Sequence, residues 1–167
     1  MPVARFVAAT NVNDVVPQYL ATGKYEPRAS LHTIANAMDV GNPSNFERMQ
    51  WLYGCDLEAM RKDVSSSVHQ DVEVKATIKD VFDRTGYLLD PHSAIGYLGL
   101  TKGQSAQGKG QGIFLATAHP AKFSEIVEPV IGKTIDRPAA LAEALARPRQ
   151  ILRLDATLSA IKGAVGG

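Results

Sequence analysis

Three short polar segments carry the side chains that could do chemistry in this chain. They read Thr-Asn-Val-Asn-Asp (10–14), Asp-Pro-His-Ser (90–93) and Thr-Ala-His-Pro-Ala-Lys (117–122). Each follows a short apolar run and precedes a stretch of helical character. If the apolar runs are parallel strands, the segments share the carboxyl edge of one sheet, where open α/β sheets bind ligands. The pattern therefore predicts a ligand site, although ordinary helix capping uses the same residue types.

The third segment has the most specific pattern. Pro120 keeps His119 out of helical geometry and suits the first position of a helix. Thr117 is then expected to end a buried strand with its hydroxyl at the sheet edge, and such a hydroxyl can bond a heteroaromatic nitrogen without carrying charge. Lys122 lies one helical turn after His119 on the same face. The alternatives are a solvated Lys122 and a His119 that bonds backbone in a turn.

The elements that would position these segments are strands and helices in alternation. Apolar runs predict strands at 3–9 and 112–117, and a very short one at 87–89. The two longer runs are unbroken, which is typical of parallel strands covered on both faces. Helices are predicted around 15–20, 46–53, 56–61, 71–85, 91–98, 126–127, 138–146 and 156–164. The pattern indicates a helix-rich α/β fold with a mostly parallel sheet.

Capping and turn residues predict where several of these elements begin and end. Asn11 is expected to cap the first helix, Asp90 the helix at 91–98, and Gly86 to end the helix at 71–85. Ser65–Ser67 is expected to be a linker, and 24–44 and 102–112 are expected to be mostly loop. Trp51 and Cys55 are expected inside the core.

Composition narrows the class of protein. The 167 residues carry Lys+Arg 18 against Asp+Glu 17, a net charge of +1, and are 45% hydrophobic. This balance argues against a nucleic-acid binder and against disorder. No uncharged apolar run reaches about 18 residues, so no membrane span is expected, and the lack of an amino-terminal signal pattern predicts a cytoplasmic protein. The four histidines lack short metal-ligand spacing, so no metal is expected.

Five segments resemble threonine synthases, in the family's order and approximate spacing across residues 3 to about 132. They are Arg-Phe-Val-Ala-Ala-Thr-Asn-Val-Asn-Asp (5–14), Asn-Ala-Met-Asp-Val (36–40), Ser-Asn-Phe-Glu-Arg (44–48), Asp-Pro-His-Ser-Ala (90–94) and Ala-Thr-Ala-His-Pro-Ala-Lys-Phe (116–123). The resemblance implies part of the three-layer tryptophan-synthase-β-like fold, fold type II of pyridoxal-phosphate enzymes. Residues 1–132 would form the carboxyl-terminal portion of that fold, and residues 133–167 a helical tail packed on the same domain.

The resemblance also implies an activity. Threonine synthases are carbon–oxygen lyases acting on a phosphate, and they convert O-phospho-L-homoserine and water into L-threonine and phosphate with pyridoxal phosphate. Thr117 would hydrogen-bond the pyridine nitrogen of the cofactor. The residues implied near the substrate or its phosphate are Asn11, Asp14, His92, His119 and Lys122.

One departure from the family pattern qualifies this expectation. The family's Schiff-base lysine, in a Phe-Lys-Asp context, and its Ser-Gly-Asn-Phe-Gly phosphate loop belong to an amino-terminal region without counterpart here. No catalytic residue is therefore expected in this chain, and the isolated chain is expected to be inactive. It should hold the cofactor weakly, because one neutral hydrogen bond contributes only about 1 kcal/mol. Its expected partner is the missing amino-terminal portion of the enzyme.

The alternative to a piece of an enzyme is a non-catalytic truncated module. An opening strand without neighbours leaves backbone hydrogen-bonding groups unpaired, and such an edge pairs readily with another chain. This module would self-associate or bind a partner through the exposed sheet edge.

Overall fold

A two-stranded parallel sheet lies between two layers of helices in the computed structural model, which describes residues 3–107 and 111–165. Strands β1 (Phe6–Thr10) and β2 (Val64–Val68) pair so that Phe6 faces Val64 and Thr10 faces Val68. The helices of this part are α1 (Val15–Thr22), α2 (Phe46–Leu52), α3 (Leu57–Asp63), α4 (Asp71–Thr85), α5 (Pro91–Gln107) and α6 (Ser124–Ile131). Two 3-10 turns span Asn36–Met38 and Pro120–Phe123. The predicted helix-rich α/β fold with a parallel sheet is confirmed.

The three layers follow from the alternation of side chains along β1, because successive residues of a strand point to opposite faces. Ala8 packs against a core formed by residues of α1, α2, α3 and β2, namely Tyr19, Leu20, Phe46, Met60 and Val64. Ala9 packs against the second core, built mainly from α4, α5 and α6, with Val74, Ile78, Val81, Ala94, Ile95, Val127 and Ile131 among its members. One helical layer therefore covers each face of the sheet.

Helix α5 approaches the sheet closely at Gly99. A Cβ atom at this position would lie 2.5 Å from the Cβ of Ala9 and 3.1 Å from the Oγ of Ser67. Only glycine leaves room for that approach, so a residue that ordinarily weakens a helix here permits helix–sheet packing.

Three expectations about strands are wrong. The serine-rich stretch at 65–67 lies within β2, although it was expected to be a linker. Residues 112–117 are not a strand, and Ile113 and Leu115 are 67% and 77% exposed. Within the described residues no strand pairs with this segment, and a strand forms only where a neighbour accepts its backbone hydrogen bonds. Residues 87–89 also form no strand, although Leu89 is buried.

Four further expectations need correction. Helix α5 continues to Gln107, so residues 102–107 of the expected loop are helical, while 108–110 lie outside the described residues. Asp14 rather than Asn11 occupies the N-cap position of α1. Trp51 is 83% exposed and Cys55 is also exposed, so neither belongs to the core.

Other element boundaries are confirmed. Helix α4 spans the predicted residues and ends at Gly86, whose φ of 72° is left-handed, and Asp56 caps α3 by accepting the N–H groups of Glu58 and Ala59. No helix within the described residues has the length and hydropathy that crossing a membrane requires.

The chain divides into two compact units, with the boundary between Ile135 and Asp136. The second unit contains α7 (Ala139–Ala146) and α8 (Leu158–Val165), close to the predicted helices. Its apolar side chains include Leu152, Leu158 and Val165, which are all exposed. The expectation that a tail from residue 133 packs on the first domain stays a prediction.

Candidate functional site

The segment after β1 is held by a buried hydrogen-bond network centred on Asn11. The Asn11 side chain donates from Nδ2 to Thr33 Oγ1 and to Asp39 Oδ1, both at 2.8 Å, and its Oδ1 accepts the Asn13 N–H at 2.9 Å. The residue is 1% exposed. Asn11 therefore ties the end of β1 to the loop at 31–39, and its polar atoms are used within the chain.

Asp39 is the anion of this network. Burial acts to raise its pKa, but hydrogen bonds from the hydroxyl and N–H of Thr33, and from His32 and Asn11, outweigh burial and hold the pKa below its usual value. Because these donors favour the charged form, Asp39 anchors the loop as a carboxylate. The sequence pattern did not predict a role for Asp39, which appeared there only as part of the family-like segment Asn-Ala-Met-Asp-Val (36–40). A single acidic residue in a predicted loop gives no sign that it will be buried.

Asp14 lies at the start of α1 and forms an ion pair with Arg28. Its second carboxylate oxygen accepts a hydrogen bond from Gln18 Nε2 at 3.2 Å. Arg28 also donates to the carbonyl of Val12 at 3.2 Å. The charge of Asp14 is therefore balanced by a cation of this same chain.

The second polar segment is buried at the start of α5. Asp90 Oδ1 lies 2.9 Å from His92 Nδ1, and His92 Nε2 accepts the N–H of Ala37 at 3.0 Å. Because Nε2 accepts, the ring proton is on Nδ1 and points to Asp90, so the imidazole is neutral. Asp90 also accepts the His92 N–H and the hydroxyl of Ser93, as its predicted capping role requires.

The third segment lies at the surface. Thr117, His119 and Lys122 are all exposed. His119 has the extended backbone that Pro120 demands, with φ −77° and ψ 133°, and its Nδ1 accepts the Ala121 N–H at 3.1 Å. This is the backbone-bonding alternative, and Nε2 of the exposed ring has no hydrogen-bond partner among the described residues. Thr117 follows a mostly exposed segment without regular secondary structure rather than a buried strand, and its hydroxyl has no hydrogen-bond partner among the described residues.

The structure links these segments through the loop at 31–39 and through Phe123. Asn11 reaches the loop at Thr33 and Asp39, and His92 reaches it at Ala37. The His92 ring packs on Phe123, with centroids 4.9 Å apart. The three segments are therefore linked by contacts, and the candidate residues classed as exposed, Thr117, His119 and Lys122, all lie in the third.

Two clefts border this loop. The larger, about 420 Å³, lies beside the carboxyl end of β1, and its lining includes Thr10, Met38, Ser44 and Asn45. The hydroxyl of Thr10 is buried there without a hydrogen-bond partner in the described part of the chain. The smaller, about 310 Å³, is lined by Ser30, Leu31, His32, Asn36 and Asp39. The larger volume falls in the range of small-molecule sites.

A metal centre is not among the features of the described residues, since no group of three His, Cys, Asp or Glu side chains is arranged to hold an ion.

Comparison with known proteins assigns a relationship to almost the whole chain. A family model described as "Threonine synthase, C-terminal" matches residues 93–165. Threonine synthase of Escherichia coli (strain K12) is 39% identical over 162 residues, which cover 97% of this chain and 37% of that protein. Threonine synthase of Haemophilus influenzae is 42% identical over 144 residues, covering 84% of this chain and 32% of that protein. The chain thus spans only about a third of the length of these curated relatives.

Solved structures agree with these matches. The crystal structure of threonine synthase from Escherichia coli superposes with a TM-score of 0.82 and 36% identity, covering 99% of this chain and 38% of that one. The structure of PLP-bound threonine synthase from Brucella melitensis gives a TM-score of 0.80 and 32% identity, covering 98% of this chain and 40% of that one.

Proposed function

This chain belongs to the threonine synthase family, and we propose that its residues form the carboxyl-terminal part of an enzyme that converts O-phospho-L-homoserine and water into L-threonine and phosphate. One observation carries the proposal: the Escherichia coli threonine synthase is 39% identical over 97% of this chain. The proposed cofactor is pyridoxal phosphate, because a relative with the same fold is described as PLP bound.

Thr117 is the residue proposed to touch the cofactor. Its exposed hydroxyl, unpaired among the described residues, suits a hydrogen bond to the nitrogen of a pyridine ring. Pyridoxal phosphate, when bound, supplies an electron sink for the substrate's carbon skeleton. Thr117 would orient the ring without adding charge.

His119 and Lys122 are proposed to face the substrate. The imidazole of His119 is fixed through Nδ1, so Nε2 remains for a substrate oxygen. Lys122 is exposed on the same turn, and an ammonium group suits the phosphate of O-phospho-L-homoserine.

Asn11, Asp14 and His92 are proposed to border the substrate and to act mainly by supporting the loop at 31–39. Their polar atoms already bond to this chain, as the contacts of Asn11 with Asp39 and of His92 with Ala37 illustrate. Their influence on the substrate would therefore be exerted through Asn36 and Asp39, which line the smaller cleft.

The proposed partner is the remaining portion of the threonine synthase fold. Within the described residues β1 has a neighbouring strand on one edge only, and the larger cleft with the buried Thr10 hydroxyl lies beside it. Ile113 and Leu115 expose apolar surface on the segment before Thr117. A further strand and its flanking helices would cover these groups.

A segment replacement tests the proposed function. The matching 162-residue stretch of the Escherichia coli enzyme would be replaced by this chain, and phosphate release from O-phospho-L-homoserine measured. The hybrid should be active, and Thr117→Val should lower activity roughly ten-fold, the effect of losing one hydrogen bond. Thr134→Val, at an exposed threonine outside the segment, is the matched control. A folded hybrid that binds pyridoxal phosphate but releases no phosphate contradicts the proposal.

The 167 residues alone are proposed to be inactive, because no lysine of the sequence stands in the family's Phe-Lys-Asp context. Incubation with pyridoxal phosphate should give no stoichiometric absorbance band of a lysine-linked cofactor. A stable band that disappears on borohydride treatment, with one label per chain, would show the opposite.

The open edge of β1 also favours a second candidate function, self-association of a non-catalytic module. Sedimentation velocity measured at several protein concentrations distinguishes the enzyme role from the self-associating module. Association that is abolished by adding the amino-terminal part of the Escherichia coli enzyme supports the enzyme role, whereas association that persists without 1:1 complex formation supports the module.

A further inference from the structure

His69 is a fully buried histidine at the junction of both strands and two helices. It follows β2 and precedes α4, and its side chain is 0% exposed. Its N–H donates to the carbonyl of Thr10 at 3.0 Å. Its ring nitrogens face Ser67 of β2 at 2.9 Å and Lys102 of α5 at 3.5 Å.

The contacts determine the tautomer of this ring. A lysine ammonium can only donate, so His69 Nδ1 accepts from Lys102 and Nε2 carries the proton that is donated to Ser67 Oγ. The serine hydroxyl therefore receives a hydrogen bond from the ring, which is the reverse of what an activated serine nucleophile needs. This arrangement is a neutral structural contact and not a nucleophile–base pair.

Glu73 of α4 lies near the His69 ring and also bonds to Lys102 and to the start of α4. Its Oε1 accepts from Lys102 at 3.1 Å, and its Oε2 accepts the Gln70 N–H at 3.0 Å as part of the capping box of α4. The same Oε2 lies 3.8 Å from His69 Nδ1. Glu73 and Lys102 are the charged groups that face the ring, and Ser67 and the Thr10 carbonyl are neutral.

These surroundings oppose protonation. Burial and the charge of Lys102 hold the pKa of His69 below its ordinary value, with Glu73 acting in the other direction. The Gln70 N–H and Lys102 lower the pKa of Glu73, so this group stays an anion. The neutral ring is thus the form that accommodates Lys102.

We propose that His69 is a proton-sensitive latch that holds α5 against β2 and the start of α4. A proton from solvent binds at Nδ1, which then can no longer accept from Lys102 and turns its N–H to Glu73. Lys102 loses one contact and must share Glu73 with a second cation, so the part of α5 around Lys102 loosens. This inference does not depend on the proposed enzymatic function, and the latch acts on packing within the chain.

Histidine Cε1–H titration by NMR tests the latch in the 167-residue chain, and His69→Gln identifies the His69 signal in these spectra. Lys102→Met should shift the titration midpoint of His69 upward, and Glu73→Gln, which keeps an oxygen for the capping box, should shift it downward. Lys79→Met removes the same charge from α4 at a lysine paired with Asp83, and should leave the midpoint unchanged. An unchanged midpoint in Lys102→Met overturns the proposal.

Amide hydrogen exchange gives the structural readout. After correction for intrinsic exchange rates, residues 99–103 of α5 should lose protection when the pH falls below the His69 midpoint. His69→Gln should lack this pH dependence, while residues 78–82 of α4 should keep constant protection in both proteins. Equal protection of residues 99–103 on both sides of the midpoint in the wild-type chain overturns the proposal.

Discussion

At the residue scale, the polar side chains of the three candidate segments fall into two groups, those that bond within the chain and those that are exposed. Asn11 and His92 have the types and spacing of ligand-binding residues, yet each has its polar atoms committed within the chain. Thr117, His119 and Lys122 are exposed. Residue type alone does not distinguish these two groups, because an amide or imidazole serves equally well in a buried network and in a binding site.

Asn11→Ala should lower the free energy of unfolding by about 2–3 kcal/mol, because Asp39, Thr33 and Asn13 would each lose a buried partner. Urea denaturation followed by circular dichroism measures the change. Asn42→Ala is the control, since this exposed amide bonds only to Tyr25 among its described contacts and should change stability by less than about 0.5 kcal/mol. Equal effects of the two substitutions would show that the buried network contributes little.

Asp39 should make stability depend on pH in the acid range. Its pKa is below the ordinary value in the folded chain, since donors from Thr33, His32 and Asn11 outweigh burial, so the unfolded chain binds a proton first as pH falls. The stability it contributes is therefore present above the ordinary aspartate pKa and is lost as pH falls through the folded pKa. Asp39→Asn should give a flatter stability profile in this range. An unchanged slope between the two proteins contradicts this assignment.

At the element scale, stability depends on the close packing of α5 on the sheet. Gly99→Ala should destabilise the chain by about 1–3 kcal/mol, because the new Cβ would lie 2.5 Å from that of Ala9. Gly163→Ala in α8 meets nothing within 4 Å and should raise helix stability by about 1 kcal/mol. Thermal unfolding of both variants gives the comparison. If both changes stabilise, intrinsic helix propensity outweighs packing at Gly99.

At the scale of the whole molecule, the open edge of β1 and the exposed Ile113 and Leu115 are the surfaces that the proposed remaining portion of the fold would cover. The described residues give β1 a single neighbour, and the curated relatives are about three times as long as this chain. In the proposed enzyme the remaining portion docks on this unit, with residues 111–117 as part of the contact.

Leu115→Lys tests that contact. Leu115 is 77% exposed, so the substitution should change the free energy of unfolding by less than about 0.5 kcal/mol. It should nevertheless weaken binding of the amino-terminal part of the Escherichia coli enzyme, because a charge would be buried on docking. Val72→Lys, at a 73% exposed position of α4, is the matched control. Isothermal titration calorimetry compares the affinities, and equal affinities would exclude Leu115 from the contact.

The sequence by itself determined α4 and the family. Helix α4 and its end at Gly86 follow from apolar spacing and a glycine with left-handed φ, because these signals are local. The five motif segments identified threonine synthases, and the comparisons confirm that relationship.

Only the tertiary structure decided which segments pair as strands and which polar residues are buried. The serines of β2 form a strand because Val64–Val68 lies in register beside β1, while the more apolar run at 112–117 has no pairing strand in the described chain. Likewise Asn11 is buried because the loop at 31–39 folds over it and brings Thr33 and Asp39 within hydrogen-bond distance. Strand pairing and burial depend on neighbours far away in sequence, and local residue patterns contain no information about where those neighbours lie.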